Sequence, residues 1–118
     1  MSGNRLLKCD LIKRGEFLES KNKQFKAVLQ DDGNFVIYGW KPLWASDTWG
    51  NPTADRLVMQ DDCNLVIYKK DDKPMWQSNT HQSGDCKTCR LTLQDDGHLV
   101  IEREGKQIWS SASSKGVK

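Results

Sequence analysis

The sequence predicts an all-β fold made from one small unit used three times, and three observations carry that prediction. Leu29–Tyr38, Met59–Tyr68 and Leu93–Glu102 align without gaps. A Trp-x-Ser signature follows every copy: Trp44-Ala45-Ser46, Trp76-Gln77-Ser78 and Trp109-Ser110-Ser111. Inside each copy lies turn chemistry, as in Asp31-Asp32-Gly33-Asn34, flanked by β-branched and aromatic residues. The copies' Gln residues stand at 30, 60 and 94, and the Trp follows 14, 16 and 15 residues later. Fixed elements joined by loops of variable length produce that spacing.

Taken in chain order, the amino-terminal stretch is the least regular. Leu6, Leu7, Leu11 and Ile12 fit one stripe of a short helix, whereas Gly15 before Glu16-Phe17-Leu18 favours a turn into a strand. We read it as a strand that completes a sheet if the last repeat ends at Trp109. Each copy then reads as a hairpin in which alternation sorts the side chains. Leu29, Phe35 and Ile37 share one face, as do Met59, Leu65 and Ile67, and Leu93, Leu99 and Ile101. That face is aliphatic or aromatic throughout and is the expected core. Gln30, Val36 and Tyr38 point the other way, with Asp32 and Asn34 near the turn. One hairpin cannot bury its apolar face alone. Three small sheets around a common axis can, with Trp44, Trp76 and Trp109 filling the middle, since a Trp buries roughly 150–250 Å². Trp40 and Trp49 fall outside the repeat and fit an end cover, a subunit interface or a site equally well.

Composition narrows the partners. A chain of 118 residues has room for one domain. It is 36% hydrophobic and 29% charged, and lacks an apolar run long enough to span a membrane. Its start lacks the apolar stretch of a secretory signal. The formal net charge is +2 with both signs interspersed, which argues against nucleic acid and against an anionic membrane surface. The outward set, by contrast, offers amides, carboxylates, a phenol and one small apolar contact. A polyol with vicinal hydroxyls and a weakly apolar ring face, such as a pyranose, is its natural complement.

The pattern Gln-x-Asp-x-Asn-x-Val-x-Tyr resembles the signature of the bulb-type mannose-binding lectins. Two copies match at all five positions: Gln30, Asp32, Asn34, Val36 and Tyr38, then Gln60, Asp62, Asn64, Val66 and Tyr68. Gly15-Glu16-Phe17-Leu18 and the Trp-x-Ser turns extend the resemblance over nearly the whole chain. The Met1-Ser2 start, Gly39-Trp40-Lys41-Pro42 and Ser114-Lys115-Gly116 look most like the skin-mucus mannose lectins of fish, the pufflectin type. The resemblance implies a β-prism of three four-stranded antiparallel sheets with pseudo-threefold symmetry. It would be a single domain over 1–118, with repeats at about 20–50, 51–83 and 84–114. It also implies roles: Gln for the sugar 3-hydroxyl, Asp and Asn for the axial 2-hydroxyl, Tyr for the 4-hydroxyl, and Val for the ring. Asp32 and Asp62 would then separate mannose from glucose. In the third copy Gln94, Asp96 and Val100 match, but His98 replaces Asn and Glu102 replaces Tyr. A second carboxylate near Asp96 would be repulsive, and this copy is expected to serve mainly as scaffold.

An enzyme is not expected. Asp31-Asp32, Asp61-Asp62 and Asp95-Asp96 are adjacent pairs whose members point to opposite faces, poorly placed to share one glycosidic bond. Copying a group gains nothing for one bond-breaking site, but it raises avidity for a polymer. The Asp spacing is not that of a calcium loop, and neither metal nor cofactor is expected. By the resemblance Cys63 pairs with Cys89, closing a loop worth roughly 3 kcal/mol in the chain-entropy model. Cys9 and Cys86 then pair with each other, pair across a dimer or stay free. A zinc site drawing on Cys63, Cys86, Cys89 and His81 is the less favoured reading. A disulfide and a sugar ligand point to an extracellular setting, and the fish resemblance to mucus, reached without a classical signal peptide. The expected function is recognition of clustered mannose on microbial or host glycans in innate defence. The expected assembly is a homodimer, with Ile108–Ser111 available for strand exchange as the family often does. The competing reading is a protein-binding module on the same scaffold, adhesion-receptor or toxin-like, whose surface would not depend on Gln30, Asp32 or Tyr38.

Overall fold

Each copy of the repeat folds as a three-stranded meander, and a short strand drawn from residues 5–19 completes each to four. The computed structural model describes residues 3–83 and 88–118, and no helix occurs among them. The strands are β1 (Arg5–Leu7), β2 (Leu11–Lys13), β3 (Phe17–Glu19), β4 (Lys26–Leu29), β5 (Phe35–Tyr38) and β6 (Pro42–Ala45). They continue as β7 (Ala54–Met59), β8 (Leu65–Lys69), β9 (Pro74–Gln77), β10 (Cys89–Leu93), β11 (Leu99–Arg103) and β12 (Lys106–Ser110). The first sheet runs β3-β4-β5-β6, the second β2-β7-β8-β9 and the third β1-β10-β11-β12, all antiparallel. This is the β-prism of three four-stranded sheets.

The amino-terminal reading was incomplete. There is strand here and no helix, but there are three strands rather than one, and each goes to a different sheet. Leu6, Ile12 and Leu18, six residues apart, are fully buried beside Leu91, Leu57 and Ala27 respectively. Leu7 and Leu11, which the helical stripe would have buried, are exposed. Tight turns separate the strands: Asp10 accepts from Leu7 N at 3.0 Å, and Glu16 from Lys13 N at 2.7 Å. A three-residue strand shows one inward side chain, too few for alternation to register.

The core is the expected face. Leu29, Phe35, Ile37, Met59, Leu65, Ile67, Leu93, Leu99 and Ile101 are all fully buried. Ile37, Ile67 and Ile101 sit opposite Trp44, Trp76 and Trp109, and these three indoles meet edge to face on the axis at 5.9–6.2 Å between ring centroids. Buried indole N–H groups need acceptors. Residues after β12 supply two: Trp44 Nε1 donates to Ser114 O at 3.0 Å and Trp76 Nε1 to Lys115 O at 2.7 Å. Trp109 Nε1 is buried without a partner among the described residues. The tail then bridges to β9, Gln77 and Val117 exchanging both backbone hydrogen bonds.

Cys63 and Cys89 form the expected disulfide, Cα atoms 5.4 Å apart, tying the second turn to the start of β10. That pairing removes Cys63 and Cys89 from the zinc reading. Cys9 is exposed, and Cys86 lies outside the described residues. Trp40 and Trp49 are 94% and 68% exposed, so neither covers an end of the prism. Ile108, Trp109 and Ser110 belong to β12, which pairs with β11 along the edge of the third sheet.

Candidate functional site

The turn between β4 and β5 fixes the first set of outward residues. Gln30 N donates to Asn34 O at 2.9 Å and Gly33 N to Gln30 O at 3.0 Å, closing the hairpin. Asp32 folds back so that its Oδ1 accepts from Asn34 N at 2.9 Å, leaving Oδ2 facing out. A β-bulge between Ile37 and Tyr38 then re-aims the tyrosine, and Gln30 Nε2 donates to Tyr38 Oη. The second copy repeats this in full: Asn64 N to Asp62 Oδ1 at 2.9 Å, a bulge before Tyr68, and Gln60 Nε2 donating to Tyr68 Oη. All five outward residues of each copy therefore share one strip of one sheet.

Asparagine is held from behind by the serine of the Trp-x-Ser signature and by a threonine two residues on that the sequence pattern did not single out. Asn34 Oδ1 accepts from Thr48 N at 3.1 Å and Ser46 Oγ at 3.3 Å. Ser46 and Thr48 are themselves linked at 2.7 Å, and Thr48 Oγ1 donates to Gly33 O at 2.6 Å. Asn64, Ser78, Thr80 and Cys63 O form the same brace. With Oδ1 occupied, the amide nitrogen is the group of each Asn side chain left for other partners. The signal was present as Trp-x-Ser-x-Thr, in Trp44–Thr48 and Trp76–Thr80. Nothing in strand periodicity shows that a residue at a strand's end reaches back twelve to sixteen positions.

The valines lie deeper than a ring contact suggests. Val36, Val66 and Val100 are 3–4% exposed, flanked across the sheet by Val28 and Ala45, Val58 and Gln77, and Thr92 and Ser110. They form the floor of shallow strips. The strips differ at their edges. In the second, Asn64 Nδ2 donates to Gln77 Oε1 at 2.8 Å, and Asn64 is 7% exposed; in the first, Ala45 stands where Gln77 does. Opposite Tyr68, Arg56 stacks its guanidinium 4.9 Å from the ring centroid. Asp72 and then Asp55 pair with Arg56 and raise its pKa above the ordinary arginine value.

The third copy keeps the turn, the bulge and the serine bond, and loses the Asn brace and the Gln–Tyr pair. His98 N still donates to Asp96 Oδ1 at 3.0 Å and Leu99 N to Ser111 Oγ at 2.9 Å. The His98 side chain has no oxygen to take the place of the Asn acceptor, and Ser113 Oγ turns to Ser110 O at 3.4 Å instead. Gln94 is exposed and has no tyrosine to meet. Glu102 is engaged by Arg90 at 3.1 Å across the strand pair, so its charge is neutralised there.

No family model matches the chain. It is 53% identical over 115 residues to the B-type lectin plumieribetin of Scorpaena plumieri, covering 98% of this chain and 100% of that protein. It is 50% identical over 58 residues to mannose-specific lectin 1 of Remusatia vivipara, covering 48% of this chain and a fifth of that protein's length. Among solved structures it is similar to the mannose-specific agglutinin from snowdrop (Galanthus nivalis) bulbs complexed with methyl-α-D-mannoside. That likeness has a TM-score of 0.75 and 36% identity, and covers 96% of this chain and 99% of that one.

Proposed function

Because the chain belongs to the bulb-type (B-type) lectin family, we propose that it binds mannose at two sites, Gln30-Asp32-Asn34-Val36-Tyr38 and Gln60-Asp62-Asn64-Val66-Tyr68. The observation that carries this reading is the duplicated network itself. In each strip the turn takes one Asp oxygen, the Ser–Thr brace takes the Asn oxygen, and Gln donates to the Tyr oxygen. What remains outward is fixed in kind: a carboxylate oxygen that accepts, an amide nitrogen that donates, a phenol hydrogen that donates, and a glutamine carbonyl that accepts. An axial 2-hydroxyl placed between Asp and Asn donates to one and accepts from the other. An equatorial hydroxyl leaves both unpaired, and that is the source of discrimination against glucose. The snowdrop agglutinin with its mannoside and the mannose-specific lectin of Remusatia vivipara support the choice of sugar.

Single strips this shallow hold a monosaccharide weakly, with Kd on the order of millimolar. Useful affinity comes from clustered mannose on microbial or host glycans, engaged through several sites at once. The third copy serves as scaffold. The buried disulfide fits an extracellular setting, and we place the protein's work in innate defence in mucus.

Passage over immobilised mannan tests the reading. Retention is expected, with release by methyl α-mannoside and not by methyl galactoside. The paired variant Asp32→Asn and Asp62→Asn keeps an oxygen for each turn and turns the outward acceptor into a donor, so it should fold and flow through. Failure of the unaltered protein to be retained, or equal elution by both sugars, overturns the mannose reading in favour of a protein-binding surface; retention of the variant moves sugar binding to the third copy or elsewhere.

A further inference from the structure

Two strips with identical sequence motifs need not bind alike, and the strands beside them, β6 and β9, differ at Leu43/Met75 and at Ala45/Gln77. Position 45 on β6 and position 77 on β9 occupy the same place, opposite Val36 and Val66. The first is Ala and the second Gln. Gln77 spends its backbone N–H and C=O on Val117, on the far side of β9. Its pairing with Val66 is thus of the non-hydrogen-bonded kind, in which side chains stand closest. Trp76 points into the core, so Gln77 points out, onto the face that carries Asp62, Asn64 and Tyr68.

From that place Gln77 Oε1 accepts from Asn64 Nδ2 at 2.8 Å. Asn64 then has its oxygen held by Ser78 and Thr80 and its nitrogen held by Gln77. The amide nitrogen carries two hydrogens, so one stays available for a hydroxyl. Asn34 has the brace on its oxygen and no partner for its nitrogen among the described residues. Pre-ordering a binding group removes part of the entropy that the ligand would otherwise have to overcome.

We infer that Gln77 is a positioning residue that makes the second strip the tighter of the two sites. The inference rests on reading the strips as sugar sites, and its test separates the two claims. Nitrogen-15-labelled protein is titrated with methyl α-mannoside, following backbone amides of both strips and the side-chain amides of Asn34 and Asn64. In the unaltered protein the second site should saturate at about five-fold lower sugar than the first, the scale of one net hydrogen bond. Gln77→Met keeps length and apolar volume and removes the acceptor; it should bring the second site to the level of the first and leave the first unmoved. Ala45→Gln should tighten the first site, a gain that a merely structural role for Gln77 does not predict. Equal saturation of both sites before any substitution, or an unchanged second site in Gln77→Met, overturns the inference while leaving the sugar sites standing. Absence of sugar-dependent shifts in either strip overturns both.

Discussion

Gly33, Cys63 and Gly97 occupy the same corner of the three hairpin turns, with φ of +89°, +71° and +88°. Only glycine takes that conformation without cost, and at Gly33 space is short as well. A Cβ there would meet both Asn51 Cβ and Asn51 O at 2.8 Å. Gly33→Ala should therefore lower stability by about 1–3 kcal/mol, read as a lower urea midpoint at unchanged slope. Because Gly33 O also receives Thr48 Oγ1, the same change should weaken sugar binding at the first strip more than at the second. At this scale the sequence was informative about direction and silent about support. Alternation placed Leu29, Phe35 and Ile37 inside and Gln30 and Tyr38 outside, since strand geometry alone decides that. Thr48, Thr80 and Gln77 escaped it because their roles are set by a neighbouring strand's register, which no single-strand pattern contains.

The elements at the two chain ends do the joining. β1, β2 and β3 each add an edge to a different sheet, and the residues after β12 lie across the indoles of Trp44 and Trp76. Both indole bonds go to backbone carbonyls, while the Ser114 and Lys115 side chains hold the tail separately, through Gly116 N and through Ala45 O and Asp47. Deleting residues 114–118 uncovers two buried N–H groups and the Gln77–Val117 pairing. Stability should fall by about 0.5–1.5 kcal/mol for each hydrogen bond exchanged for water, with tryptophan emission shifting to the red as water reaches the axis. Gly116 sits at φ +73° against the Trp76 ring, where a Cβ has no room, which explains a glycine so near the end. The three repeat hairpins were legible because they are long enough to alternate and occur three times. The amino-terminal stretch was legible as strand after the Gly15 turn but not as three strands, whose separate trace is the six-residue spacing of Leu6, Ile12 and Leu18.

On the scale of the whole molecule, three like sheets turn three like faces outward, and two of those faces carry the full residue set. If both strips bind sugar as proposed, their places on different sheets would suit one chain to bridging two glycan surfaces rather than gripping one. A homodimer would bring four sites together and multiply avidity. Light scattering on a sizing column should accordingly give twice the 13.5 kDa chain mass; a single-chain mass would remove the dimer and leave the sites unaffected. The order in which the strands are joined has a consequence for how the chain is made. Synthesis delivers β3, β4, β5 and β6 as one continuous run, so the first sheet can close by about residue 45. β2 then waits for β7, and β1 waits for β10, near residue 90. The leading segment is taken up from its inner end outward, one strand per finished hairpin, without threading. A nascent chain stalled after any hairpin would hold completed sheets and an unpaired leading segment, and the residues that seal the axis would emerge only after all three hairpins.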